Sequence, residues 1–270
     1  MVDQNKEHID RLMLSIDLVC QAGSLILKFL STKTYGISYK SDHSPVTDAD
    51  LAAEDFLRNR LSILCPNDSI KGEEFDVKTG SSGYTWHIDP IDGTKSFIHG
   101  VPLFGTLAGL EYGDTAVAGV ILMPALSEIV YAATGYGSWW STNISHGKVI
   151  DANIARVSHT PSLSESTVST TDAQWISSSR QMQNLMGKAK IARSWGDCYG
   201  HYLVATGRID GMVDPFTMNS WDCAPILPIV KEAGGKFTSV KGDETIHGGS
   251  AISSNGIIHQ QILDTLSESN

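Results

Sequence analysis

The period of the hydrophobic pattern changes near Tyr84, and that change restricts the chain to folds in which helices cover a sheet. Before it, Ile9, Leu12, Met13, Ile16, Val19, Cys20, Gly23, Ile26, Leu27 and Leu30 recur at steps of three and four. That spacing marks one face of an amphipathic helix. A second helix is expected from Thr47, because Thr47-Asp48-Ala49-Asp50 sets a capping hydroxyl three residues before a carboxylate. It runs through Leu51, Phe56, Leu57 and Leu61 and stops before Pro66. After Tyr84, residues 84–88, 106–112, 116–123 and 128–133 form short apolar or alternating runs divided by Gly, Pro and Asp, as strands are. Tyr112-Gly113-Asp114 predicts a hairpin turn. Residues 159–171 are rich in Ser and Thr and read as a surface connection, with an apolar element in STVST. Helices are expected at 197–206, closed by Gly207, and at 222–233, stopped by Gly234-Gly235. Strands are expected at 211–214, 236–240 and 250–253. Blocks of one type followed by alternation predict a layered α/β (α+β) architecture. No solenoid-length repeat or low-complexity linker interrupts the chain, so residues 1–270 are expected to form one domain. Its two halves divide at roughly 1–150 and 151–270.

The charge balance narrows the partners. Lys and Arg number 20 against 30 Asp and Glu, a net −10. Affinity for phosphate backbones and anionic membranes comes from basic side chains, so neither nucleic acid nor a membrane surface is an expected partner. A small phosphorylated substrate stays open, provided that a metal held by the surplus carboxylates supplies local positive charge. The four cysteines, Cys20, Cys65, Cys198 and Cys223, show no C-x-x-C and no zinc spacing, which suits free thiols in a reducing compartment. The first residues form neither a basic n-region nor an apolar h-region. The longest apolar run, 116–126, is too short to span a bilayer. A soluble cytoplasmic protein is expected.

Four carboxylate-bearing segments carry the chemistry: Pro45-Val46-Thr47-Asp48-Ala49-Asp50, Gly72-Glu73-Glu74, Trp86-His87-Ile88-Asp89-Pro90-Ile91-Asp92-Gly93-Thr94, and Trp221-Asp222. In the third, a strand runs into Asp89 and Pro90 stops the ladder, having no N–H. Gly93 lets the backbone approach a ligand, and a helix starting near Thr94 offers free N–H groups to an anion. Two carboxylates three residues apart beside an anion cradle suit hard divalent cations bridging to a phosphoryl group. Carboxylates with a backbone carbonyl favour Mg²⁺, Mn²⁺ or Ca²⁺ over zinc. Each segment alone also has a plainer reading. Asp89-Pro90 and Asp92-Gly93 suit a turn, Glu73-Glu74 an exposed loop, and Asp50 and Asp222 helix caps. Their joint occurrence in this order is the stronger signal.

The strings VTDAD, GEE, WHIDPIDGTKSF and WDCAPILPIVKEAGG resemble the inositol monophosphatase family of Mg²⁺-dependent, lithium-sensitive phosphatases, over about residues 9–263. The resemblance implies a layered αβαβα sandwich of the inositol monophosphatase/fructose-1,6-bisphosphatase type. It implies a homodimer that hydrolyses small phosphomonoesters with two or three Mg²⁺, Mn²⁺ being an acceptable substitute. By the same resemblance, Glu73, Asp89 and the Ile91 carbonyl hold one metal, and Asp89, Asp92 and Asp222 a second. The N–H groups of Gly93 and Thr94 bind phosphate. Asp50 and the Thr94 hydroxyl orient the attacking water, and Glu73 holds a weaker third metal through water. No cysteine sits in a C-x₅-R loop, so a cysteine-phosphatase mechanism has no support.

The segment Trp195-Gly196-Asp197-Cys198-Tyr199-Gly200, with Trp139-Trp140 and Leu227-Pro228-Ile229, resembles the branch of that family acting on histidinol phosphate. Histidinol phosphate carries an ammonium group and an imidazole, and a carboxylate at Asp197 can pair with a cation that inositol lacks. Asp214 is a second candidate for substrate binding. A helix N-cap is the plainer reading of Asp197. His201 reads as a packed or solvated helix residue. Inositol 1-phosphate or a broader set of sugar phosphates is the alternative substrate, and a 3′-nucleotidase a poorer third. A silent phosphate-binding relative is the alternative outside enzymes, but Asp50, Glu73, Asp89, Asp92, Thr94 and Asp222 are all present. Two departures from the inositol enzymes stand out. The spacing from Lys40 to Val46 is one residue shorter, which leaves the role of Lys40 open. Pro225 and Pro228 interrupt the last motif, which requires Pro225 to lie in a helix's opening turn.

Overall fold

A computed structural model of the chain describes residues 2–145 and 147–268. Helix α1 (Val2–Thr32) is followed by a hairpin of β1 (Ile37–Tyr39) and β2 (Pro45–Thr47), then by α2 (Asp48–Leu64). The Thr47 side chain caps α2 by accepting from the Ala49 and Asp50 N–H groups, while Asp50 accepts from the Thr47 N–H. By length and composition alone α1 passes as a membrane-crossing helix, since its most apolar 18-residue window has a mean hydropathy of 1.6. Its stripe of Leu12, Leu18, Val19, Cys20 and Ala22 is nevertheless buried against α2 and a sheet.

That sheet holds β3 (Ser69–Gly72), β4 (Tyr84–Asp92), β5 (Gly105–Tyr112), β6 (Thr115–Met123), β7 (Glu128–Ala133) and β8 (Gly137–Ser141). A short helix, α3 (Thr94–Ile98), separates β4 from β5. After a small hairpin of β9 (Ile144–Ser145) and β10 (Lys148–Val149), β11 (Asn153–Ile154) joins at the far edge. The order is β11-β8-β7-β6-β5-β4-β3, antiparallel except for the β3–β4 pair. Alternation along the strands divides its faces. Trp86, Ile88, Leu110 and Val120 meet α1 and α2, while Leu107, Ile121 and Val130 turn the other way.

The rest of the chain builds a second sheet and its covering. Its elements are β12 (Thr167–Ser169), α4 (Ala173–Ser178), α5 (Arg180–Lys188), β13 (Ile191–Arg193), α6 (Asp197–Ala205), β14 (Gly211–Asp214), α7 (Ser220–Glu232), β15 (Lys236–Thr238), β16 (Ala251–Ser254) and α8 (His259–Ser267). Strand order is β13-β12-β14-β16-β15, with β12 parallel to both its neighbours. Helices α6 and α7 lie between the sheets, where Tyr202, Ile226 and Ile229 pack with Leu107, Ile121 and Phe237. On the outer face, Met182, Leu185 and Ile262 from α5 and α8 cover Val168, Val213 and Ile252. The layers run helix, sheet, helix, sheet, helix, as expected.

Several details differ from the sequence expectation. STVST is an inner strand, with Val168 and Ser169 buried, because β13 and β14 flank it. Pro225 and Pro228 sit in the second and third turns of α7 rather than in its opening turn, since the helix begins at Ser220. Burial of every residue from Cys223 to Val230 supplies the stability that the prolines' missing N–H groups remove. Gly109 and Gly119 face each other across β5 and β6, and a Cβ at either would collide with the backbone around Pro225. Two glycines therefore let α7 lie directly on the sheet, which sets the depth of Asp222.

Candidate active site

Strand β4 delivers two carboxylates to one place by breaking its own register. Pairing with β5 runs to Asp89↔Leu107, shifts, and resumes at Asp92↔Gly105. Pro90, which has no N–H to give, lies in that bulge, so it interrupts the ladder instead of ending the strand. Asp89 Oδ1 accepts the Ile91 N–H at 3.0 Å, which fixes the carboxylate over the bulge. Asp222 arrives from the first turn of α7, where Oδ2 accepts the Asn219 N–H at 2.7 Å in a capping box. Asn219, rather than Asp222, is the cap. One oxygen each of Asp89, Asp92 and Asp222 lies within 4.8 Å of the others.

No Lys or Arg among the described residues forms an ion pair with these three carboxylates. Burial, then Glu73, Asp92 and Asp222, pushes Asp89 well above the ordinary carboxylate range. Burial raises Asp92 and Asp222 as well, against N–H groups that favour their charged forms. For Asp92 that N–H belongs to Cys198 at the start of α6. Crowded, mutually repelling oxygens with no Lys or Arg partner fit a hard divalent ion, which takes oxygen donors and balances their charge. An all-oxygen set is poorly matched to zinc.

Glu73 stands beside this trio with its carboxylate bound to Lys40. Lys40 Nζ reaches Glu73 Oε1 at 2.6 Å and Glu74 Oε1 at 2.9 Å. Burial opposes the Lys40 charge, but these two partners outweigh it and raise its pKa. Burial and the neighbouring Glu73 push Glu74 up to about 7, against the pull of Lys40. The loop is fixed from beneath by Glu54 of α2, which accepts the N–H groups of Glu74 and Phe75 and an Arg58 bond at 2.6 Å. Gly72 is required there, because a Cβ would strike the Glu54 carboxylate. On the other side, Thr94 Oγ1 lies 3.0 Å from the Ile91 carbonyl and 3.4 Å from Asp50 Oδ1. Burial raises Asp50 to about 6, against the Thr47 bonds that favour its charge. Gly93 precedes α3 with φ +88°, a turn that suits glycine.

Glu73, Asp89, Ile91, Asp92, Gly93, Thr94 and Asp222 line one cleft of about 560 Å³ that also takes in Asp172, Trp175, Asp197, Asp214 and Trp221, while Lys40, Asp50 and Glu54 stand behind that lining. Asp197 is not an N-cap. Gly196 holds that position, while Asp197 opens α6 with φ +55° and gives its N–H to Thr171 Oγ1 at 2.8 Å. Burial, Asp92 and Asp214 raise its carboxyl, and Lys95 attracts it without forming an ion pair. Asp214 is buried and engaged. Its Oδ1 accepts the Thr171 N–H at 3.0 Å, and His201 Nε2 lies 3.3 Å from its Oδ2. His201 is therefore a packed residue with partners, Ser253 Oγ on its other nitrogen at 2.7 Å included. Those partners come from β14 and β16, where sequence spacing along α6 gives no sign of them. Trp139 and Trp140 of β8 and the Leu227-Pro228-Ile229 run lie outside the cleft lining, so they are scaffold.

A model of the inositol monophosphatase family matches residues 10–270. The chain belongs to the inositol monophosphatase family. It is a phosphoric monoester hydrolase of that metal-dependent family. A histidinol-phosphatase from Chlorobaculum parvum is 38% identical, over 93% of this chain and 95% of its own length. One from Mycobacterium tuberculosis is 35% identical, over 95% and 98%. Among solved structures, an IMPase from Thermotoga maritima superposes with a TM-score of 0.81 at 29% identity, covering 95% of this chain and 96% of that one. Within this family member, Trp175, which lines the cleft, and Glu54, which holds the Glu73 loop, are residues that sequence reasoning missed. Gly72 was the available sign of Glu54, since a glycine before two glutamates marks a close approach.

Proposed function

We propose that this inositol monophosphatase family member is a Mg²⁺-dependent phosphatase hydrolysing L-histidinol phosphate to L-histidinol and phosphate in histidine biosynthesis. Asp197 carries this reading over an inositol phosphate substrate. Its carboxylate faces the cleft with no cation paired to it, and histidinol phosphate brings cationic groups where inositol brings hydroxyls. The histidinol-phosphatase relatives support it further. A soluble, cytoplasmic homodimer is the form we expect.

In this mechanism Glu73, Asp89 and the Ile91 carbonyl would hold one ion, and Asp89, Asp92 and Asp222 another. Glu73 would hold a third through water. When bound, such ions supply a low-pKa water and neutralise charge on a transferring phosphoryl group. The chain's own groups do the rest. Gly93 and Thr94 offer backbone N–H groups to phosphate oxygens. The Thr94 hydroxyl, between the Ile91 carbonyl and Asp50, orients the attacking water, and Asp50 accepts proton density through that hydroxyl. Glu54 and Lys40 fix the Glu73 loop.

The test is phosphate release from L-histidinol phosphate and from inositol 1-phosphate in parallel, with Mg²⁺ or with EDTA. A Mg²⁺-dependent preference for histidinol phosphate of about a hundredfold in kcat/KM, or about 2.7 kcal/mol, supports the proposal. Comparable rates, or an inositol preference, keep the hydrolase and remove the histidine-pathway substrate. No release from either points to a silent binding protein.

A further inference from the structure

Asp197 stands next to the loop proposed to take phosphate. Its Oδ2 is 3.0 Å from where a Cβ on Gly93 would lie, so the carboxylate and the Gly93 backbone are in contact distance. Among the described residues nothing hydrogen-bonds that carboxylate, and its backbone conformation, φ +55°, is one few L-residues adopt. An anion so placed repels a phosphate in the neighbouring cradle unless a cation lies between them. Lys95 forms no ion pair with it. The other acidic candidate, Asp214, already serves the Thr171 N–H and His201.

Resting on the phosphatase reading above, we infer that Asp197 accepts an ammonium group on the carbon next to the phosphorylated carbon, so that the preferred substrate class is vicinal amino phosphomonoesters. The ruler is covalent. In such a molecule the nitrogen is two carbons from the ester oxygen and only a few ångströms from phosphorus, the separation that Gly93 and Asp197 offer. A ring nitrogen several bonds farther along does not match that spacing unless the chain folds back. Asp197 thus reads the amine, and Asp214 is a positioning residue whose bonds hold the Thr171 segment against α6.

The test uses three minimal substrates with the Mg²⁺-loaded wild type: O-phosphoethanolamine, 3-aminopropyl phosphate and ethyl phosphate. The expected order of kcat/KM is that order, with phosphoethanolamine ahead of ethyl phosphate by about tenfold or more. In Asp197→Asn, which keeps a side chain suited to positive φ, the ratio is expected to collapse to within about threefold of unity. In Asp214→Asn it is expected to persist. An unchanged ratio in Asp197→Asn overturns the assignment, as does a wild type indifferent to the amine or to its distance. Absence of phosphate release from every phosphomonoester, histidinol phosphate included, overturns the phosphatase reading and this inference with it.

Discussion

Glu54 of α2 accepts the backbone N–H of Glu74 at 2.8 Å, so a helix interior fixes the loop that presents Glu73. Glu54 is fully buried and bound to Arg58, and its loss strands both loop N–H groups and the Arg58 Nε–H, while the other two guanidinium nitrogens keep the Phe75 and Asp76 carbonyls. Glu54→Ala is expected to destabilise the fold by about 3 kcal/mol in urea titrations. The same variant should need more Mg²⁺ for half-maximal activity. A variant with wild-type stability and metal requirement would remove Glu54 from the site's support.

Asp92→Asn should separate activity from stability. Removing one of three crowded carboxylates relieves repulsion, so the melting temperature measured in EDTA should rise or hold. Turnover should fall by about a thousandfold, roughly 4 kcal/mol of barrier. Retained turnover would eliminate the second proposed metal position.

Cation removal should read directly in melting curves of the wild type. An ion at about a hundred times its dissociation constant adds about 2.7 kcal/mol to the folded state. For a chain of this size that shift is on the order of 5–10 °C between Mg²⁺ and EDTA. Asp92→Asn should lose most of it.

Gly119→Ala tests the seating of α7. A Cβ there meets the backbone of Pro225, so the helix must lift and carry Asp222 with it. We expect a loss of at least about 2 kcal/mol of stability, with an accompanying drop in kcat. Wild-type stability would show that the helix has room to spare.

His259 predicts an acid-sensitive component of stability. Burial, with help from Lys236, lowers it from 6.5 to about 4, and its two nitrogens meet Thr238 and Ser254 hydroxyls. The folded state keeps the imidazole neutral, whereas the unfolded chain takes up a proton once pH falls below about 6.5. Its contribution is therefore full above pH 6.5 and declines toward pH 4, by on the order of 3 kcal/mol. Denaturation of wild type and His259→Gln at several pH values in that window should converge as pH falls.

What the sequence made legible followed from local rules. Thr47 and Asp50 form a capping box wherever a helix starts, and Asp-Gly-Thr turns a chain wherever it falls. The strands of the first sheet are mostly neighbours in sequence, so their turns announce them. The second sheet is different. Strand β12 pairs with β13 and β14 across intervening helices, and nothing in STVST carries that long-range information. His201 illustrates the same limit, because Asp214 and Ser253 become its neighbours only after β14 and β16 pair. Asp197 was readable as an acid in the right segment, but its left-handed backbone and lack of a partner are products of packing.

The cleft draws Asp89 and Asp92 from the seven-stranded sheet, and Asp172, Asp197 and Asp214 from around the five-stranded one. On the proposed function, the metal-holding carboxylates of β4 and the amine-reading Asp197 thus stand on opposite banks, with Asp222 of α7 beside the former. The two banks meet at the Cys198 N–H, which donates to Asp92, so a lineage can rewrite side chains on the second bank as long as that backbone contact to β4 is kept. New substrates are then reached by few substitutions, and an enzyme engineer seeking another phosphomonoester should randomise residues 171–175, 197 and 214–218 before anything on β4.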